Sequence, residues 1–290
     1  MTRFPTLSFL LLTFAISWSM VFFAAATSVI GTGEQIGMIA MVLIGQFGPA
    51  IAAFIMVKKL HGWRGIRAYL KSGFSPRQPL PLIAFAVFFF PALFTLAFGI
   101  AIARGAPMPD FSQEMLLQIG GTFLVGMVVG FLFGGISEEF GWRAFLQPRL
   151  QRGVGFLIAG LLIAFIWAVW HLEPTIVSTL MTEGWAPFWE AEKLQVWLYF
   201  RETVATTFVM MWLFNRGKGS IFLAILIHSS SNASVMALSL LWAEKPEVWS
   251  ETVTALFWVT AVLAAIAVAR GPKEREDAAE KLAPATETAT

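Results

Sequence analysis

Long apolar stretches separated by short polar segments dominate this chain. Eight approach the roughly twenty apolar residues that a membrane-crossing helix needs. They are Leu7–Ile30, Gly37–Val57, Leu80–Ala103, Leu117–Phe140, Phe156–His171, Leu194–Phe214, Ile221–Trp242 and Val248–Ala269. The fifth is short if it stops at His171, and the fourth continues past Arg143. No strand-like alternation interrupts the series and no internal repeat is evident. The expected fold class is therefore all-α, about eight transmembrane helices enclosing an intramembrane polar site. A single domain is expected over residues 1–270, followed by a charged, Ala/Thr/Glu-rich tail over 271–290 that reads as disordered.

Composition agrees with this pattern. The 290 residues are 57% hydrophobic and 13% charged, with 28 Phe and 12 Trp. A soluble domain carries about 25% charge. Cysteine is absent, which excludes disulfides, thiolate nucleophiles and Cys-ligated metals. Arg3 and the AAATS stretch at the end of the first span resemble parts of a cleaved signal peptide. The apolar run is too long for one and contains Ser17 and Trp18, so a retained helix is expected.

The pI near 9.0 reflects where the cations fall, and no nucleic-acid partner is expected. Sixteen Lys and Arg residues fall on one side of the eight spans, and only Arg104, Lys193 and Lys245 on the other. By the positive-inside rule both termini are cytoplasmic, as an even number of spans requires. The basic segment Lys58–Pro79, which contains Trp63 and Tyr69, suits the surface of an anionic membrane and suits a solvated loop almost as well.

Few strongly polar residues interrupt the spans. They are Glu138 and Glu139 with Arg143 on the fourth, His171 ending the fifth, Arg201 and Glu202 on the sixth, and His228 and Asn232 on the seventh. Ionisable groups at membrane depth face a protein interior or a wet cavity and mark functional sites. Glu139 and Arg143 are spaced i,i+4 with Glu on the N-terminal side, the favourable order for a pair. That pairing leaves Glu138, about 100° round the helix, as the free carboxylate. His228 and Asn232 share a face by the same spacing.

Depth supports one site. The turn signal QRGVG at 151–155 folds the fourth and fifth spans into a hairpin. Glu138 and His171 then each lie about 24 Å from the turn. His228, nearer its own helix start, can join them only if the hairpin projects beyond the bilayer. Upstream, Gly126, Gly130 and Gly134 form a four-residue repeat that permits close helix approach. Ser229–Ser231 read as hydrogen-bonding contacts between helices. Arg201 reads as snorkelling or pairing with a neighbouring helix, with capture of a substrate carboxylate the less favoured role. His61 reads as an ordinary loop histidine and Glu173 as a loop or helix-end residue.

A carboxylate, two imidazoles and an amide suit the activation of water. Glu138 would take a proton, His171 would position the water, and His228 with Asn232 would donate to an oxyanion. Glu138, His171 and His228 could instead hold a catalytic zinc with one open position. There is no HExxH motif, and the sequence leaves the cofactor as either none or zinc.

The run EEFGWR at 138–143 resembles the EExxxR motif of the CAAX-protease and bacteriocin-processing family, also called abortive-infection proteins. WAVWH at 167–171 resembles its FxxxH motif, with Trp167 where the family usually has Phe, and HSSSN at 228–232 matches HxxxN. All three occur in family order across roughly residues 115–240. The resemblance implies an intramembrane endopeptidase in which Glu138 activates water, and His171, His228 and Asn232 complete the site. It implies a lipid-modified CAAX-type or membrane-associated peptide as substrate, with membrane lipids as the surroundings. Arg143 and Trp167 are expected to support the site, Trp167 through packing alone. Two alternatives stand beside proteolysis: a non-catalytic scaffold or immunity factor of the same fold, and an ion or proton transporter.

Overall fold

The computed structural model describes residues 3–30, 37, 39–171, 183–242 and 244–270. The expected tail at 271–290 and Glu173 lie outside the described residues. Nine α-helices are described: α1 (Pro5–Ile30), α2 (Gly48–Gly73), α3 (Leu80–Ala103), α4 (Gln113–Gly130), α5 (Ser137–Gly141), α6 (Gln147–Trp170), α7 (Trp185–Arg216), α8 (Ile221–Leu238) and α9 (Glu247–Arg270). π-helical turns at Met41–Gly45, Phe131–Ile136 and Trp142–Leu146 lie among them. No strand occurs among the described residues, so the fold is all-helical.

Among the described residues six segments are long and apolar enough to cross a membrane: Pro5–Thr27, Leu43–Gly73, Leu80–Ala103, Gln113–Trp170, Ile221–Leu238 and Glu247–Val268. This is the pattern of a multi-pass membrane protein, although the expected count of eight is not confirmed. The fourth and fifth expected spans fall within one 58-residue run. The expected span Leu194–Phe214 lies within α7, which is not among the six. The long run is folded at Gly155, where φ 77° and ψ 173° break the helix. That conformation favours glycine, and it falls within the turn signal read from the sequence.

α8 is the most enclosed of the six spans. It packs chiefly on α4 and α3, and also touches α2, α5 and α7. The glycine stripe explains how α4 comes so close. A Cβ at Gly126 would lie 2.8 Å from Ala233 Cα, and one at Gly130 would lie 3.1 Å from Ser229 Cα. Side chains would hold the helices apart, whereas glycine lets backbone rest on backbone. The Ser229–Ser231 run divides its labour. Ser229 donates to Ile225 O within α8, and Ser230 donates across to Val87 O on α3 at 2.6 Å.

Aromatic packing fixes the short helix α5 from below. Phe140 lies among Phe54, Tyr69 and Phe74, while Trp142 and Phe145 both pack on Phe9. Gly141 rests against Pro49, where an added Cβ would meet backbone at 2.8 Å. Arg201 donates to Thr254 of α9, so it pairs with a neighbouring helix as expected. Arg104 bonds Glu251 and Thr252 on the same helix.

Replacing Gly126 by Leu forces α4 and α8 apart and is expected to cost about 1–3 kcal/mol or more. Thermal unfolding in detergent should show a lower midpoint. Gly121→Leu is the control, because a Cβ there meets nothing within 4 Å and should leave the midpoint unchanged.

Candidate active site

The polar residues of the fourth expected span sit where its helix is interrupted. Phe133 (φ −102°, ψ 80°) and Gly134 (φ 140°, ψ −69°) leave helical geometry, and the chain restarts at Ser137, whose hydroxyl accepts from Gly134 N at 2.8 Å. Positive φ favours glycine, and space demands it as well. A Cβ at Gly134 would approach Asn232 Nδ2 to 2.6 Å and His228 Nε2 to 3.0 Å. The break therefore lets α8 bring its two polar residues against the restarted helix.

The restarted helix points its two glutamates at different partners. Glu139 and Arg143 are fully buried, with Arg143 Nη1 donating to Glu139 Oε1 at 3.3 Å. This is the i,i+4 pair read from the sequence. The shorter contact on the same oxygen comes from His228 Nδ1, at 2.7 Å. Glu139 thus does more than anchor its helix, because it also orients an imidazole from α8. Arg143 lies 4.5 Å above the Trp167 ring and its Nη2 contacts Met210 Sδ. Burying this ion pair costs several kcal/mol per charge, and only good partners offset that cost.

Glu138 is 2% exposed and has a different set of partners. Its Oε2 accepts from Trp142 Nε1 at 3.1 Å and from Trp167 Nε1 at 2.6 Å. Oε1 faces His171 Nε2 at 3.8 Å and His228 Nε2 at 3.9 Å. The histidine tautomers follow from their other nitrogens. His171 Nδ1–H donates to Trp167 O at 3.0 Å, and His228 Nδ1–H donates to Glu139. Both Nε2 atoms are turned toward Glu138 Oε1, and in these tautomers each is an acceptor. A water molecule, with two hydrogens to donate, suits the point between them.

The structure brings together the residues that the sequence assigned to the site: Glu138, Glu139, Arg143, Trp167, His171, His228 and Asn232. His228 joins the two glutamates. Two expectations need correction. Trp167 does more than pack, since its indole N–H, absent from a phenylalanine, makes the shortest hydrogen bond to Glu138. In addition, the tautomer of His228 makes its Nε2 an acceptor, so the ring donates to an oxyanion only when doubly protonated. Asn232, which has no hydrogen-bond partner among the described residues, is the available neutral donor. Trp142 went unnoticed in sequence, although its i,i+4 spacing from Glu138 is the signal that points to it.

These groups open into a cavity of about 490 Å³, lined by Glu138, His171, His228 and Asn232 at its inner end. Zinc fits the donor chemistry but not this geometry. Ligands around tetrahedral zinc lie roughly 3.3 Å apart, closer than the 3.8 and 3.9 Å found here. Among the described residues no three carboxylate or imidazole groups are placed to share an ion.

Residues 120–234 match the family model Rce1-like, described as type II CAAX prenyl endopeptidase Rce1-like. The matched segment contains the helix break, the glycine stripe and every residue of the polar cluster. A search of curated proteins found no match to the chain.

Trp167→Phe keeps the ring over Arg143 and removes one charged hydrogen bond from Glu138. We expect turnover to fall about 10- to 100-fold, from the roughly 1.5–3 kcal/mol such a bond is worth. Thermal stability should change little. Steady-state kinetics and a melting curve on one preparation check both.

Proposed function

We propose that the protein is an intramembrane endopeptidase that hydrolyses a peptide bond with water activated by Glu138. The observation that carries this reading is the convergence of Glu138 Oε1 with two imidazole Nε2 acceptors at the inner end of a cavity. In the proposed step the water donates one hydrogen to Glu138 Oε1 while His171 or His228 Nε2 accepts the other as a hydrogen bond. The water oxygen attacks the scissile carbonyl as its proton passes to Glu138. Asn232 donates to the oxyanion that develops. Collapse of the tetrahedral intermediate breaks the C–N bond, and Glu138 returns its proton to the leaving amine. The products are a carboxylic acid and an amine, which exchange a proton to become a carboxylate and an ammonium.

Trp142 and Trp167 hold the second oxygen of Glu138 throughout, so only Oε1 exchanges protons. Glu139 fixes the tautomer and the angle of His228, and Arg143 balances the charge of Glu139. Assigned in this way, Glu138, Asn232 and the histidine that accepts from the water touch the reacting atoms, while Glu139, Arg143 and the two tryptophans position them.

Peptides tethered to the membrane fit such a site, either lipid-modified CAAX-type proteins or membrane-associated peptides. The direction of access follows from charge sorting. Exposed lining residues of the cavity, Glu202, Ser239, Lys245 and Ser250, lie near the chain segments poor in Lys and Arg. With both termini cytoplasmic, the mouth faces the opposite side. Because the chain has no cysteine, single substitutions report this cleanly. Ser239→Cys should react with a membrane-impermeant maleimide in intact cells and Arg77→Cys only after lysis. The reverse pattern would place the mouth on the cytoplasmic side.

Purified protein should cleave a fluorogenic farnesylated CAAX peptide or a membrane-tethered peptide. Glu138→Gln should lose about 10²- to 10⁴-fold in rate, the range for a general base, while eluting normally on gel filtration. Activity should survive a zinc chelator. Equal rates for wild type and Glu138→Gln would sink this mechanism, and loss of activity on chelation would replace it with a metal-dependent one.

A further inference from the structure

A second cavity, about 710 Å³ in volume, lies away from the catalytic cluster. Four cations line it, Lys71 in the last turn of α2, Arg77 in the α2–α3 connection, Arg216 at the end of α7 and Lys218 in the α7–α8 connection. No carboxylate lines it, and none of the four takes part in an ion pair among the described residues. Four like charges around one cavity repel one another, so a counter-charge of opposite sign is favoured there. The remaining polar wall is hydroxyl-rich, with Ser72, Ser75 and Ser220.

The backbone adds a second observation. Lys218 is the only non-glycine residue with positive φ among the described residues, at φ 54°. A lysine in the left-handed region is unfavourable and marks a local constraint. Gly219 follows at φ 78°, and the tight turn ends at Ser220, which begins α8. This turn sets Lys218 beside Arg216 at the cavity instead of on opposite sides of a helix.

Its place in the fold identifies the kind of anion. α3 starts at Leu80 and α8 at Ile221, both of them candidate membrane spans, while α7 ends at Arg216. The cavity is therefore at the level where apolar helices leave the hydrocarbon layer. Phosphate headgroups lie at that level, on the basic side of the molecule. Pro79 and Leu82 on the same wall offer an apolar surface to the glycerol and upper acyl carbons.

We propose that this cavity is a binding site for a phosphate group, presented by an anionic phospholipid headgroup at the membrane surface. Lys71, Arg77, Arg216 and Lys218 supply the charge, the serine hydroxyls supply short hydrogen bonds, and the neutral zwitterionic lipids bind less well for want of net charge. The site is independent of the catalytic reading, since none of its residues touches the glutamate and histidine cluster.

The test is native mass spectrometry of the full chain in neutral detergent, titrated with phosphatidylglycerol or phosphatidylcholine. Wild type should retain one phosphatidylglycerol in preference to phosphatidylcholine. The double variant R216Q/K218N should bind phosphatidylglycerol at least about tenfold more weakly, given the attraction each basic residue contributes near an anionic surface. Asparagine tolerates positive φ, so the turn survives, and a melting curve checks it. R152Q removes a cation from the same basic side but outside the cavity and should bind as wild type. Added inorganic phosphate separates the two sources of the ligand. Displacement of the lipid would show that the phosphate group suffices, and failure to displace it would show that the lipid is needed. Equal retention by the double variant and wild type, or no preference over phosphatidylcholine, would overturn the proposal.

Discussion

Two carboxylates side by side on an apolar helix impose the constraint around which this molecule is arranged. Neither Glu138 nor Glu139 reaches solvent to any extent, so each must find partners within the protein or be held uncharged. Adjacent residues on a helix point about 100° apart, and one partner cannot serve both. Glu139 is met by a guanidinium one turn along and an imidazole from α8. Glu138 is met by two indole N–H groups, one a turn along and one from α6. The requirement to satisfy both carboxylates ties three separate segments together at one point.

That convergence depends on places where helices are weakened. An unbroken helix through Gly134 would leave no room for His228 and Asn232, and a side chain at Gly126 or Gly130 would keep α8 away from α4. Gly155 reverses the chain so that Trp167 and His171 return to the level of Glu138. Interruptions of this sort are tolerated at membrane depth only where protein or a wet cavity satisfies the freed backbone. Here Ser137 caps one of the freed N–H groups, and the cavity lies beside the break. Local weakness in the helices is thus what makes room for the polar cluster.

The molecule also divides its charge between two separate cavities. The inner end of one gathers carboxylates and imidazoles. The other, where four helices start or end, gathers cations and hydroxyls with no carboxylate. The first suits a water molecule, the second an anion. Their separation along the bundle matches the sorting of Lys and Arg along the chain.

Much of this was legible in the order of residues alone. The apolar runs show a helical membrane protein because water-free surroundings leave the backbone few other ways to bond itself. The i,i+4 spacing paired Glu139 with Arg143, and counting from the QRGVG turn put Glu138 opposite His171, because helical rise is nearly constant. Tertiary structure decided the rest. Nothing local joins Trp167 to Glu138 across 29 positions, or His228 to Glu139 across 89. Which oxygen each carboxylate commits, and which nitrogen each histidine turns toward Glu138, depends on those long-range contacts. The basic cavity likewise needs two loops that are far apart in sequence to meet. Spacing along one helix is fixed by local geometry, whereas the meeting of different helices is fixed by packing, and that is why sequence alone supplied the residues of the site but not its hydrogen bonds.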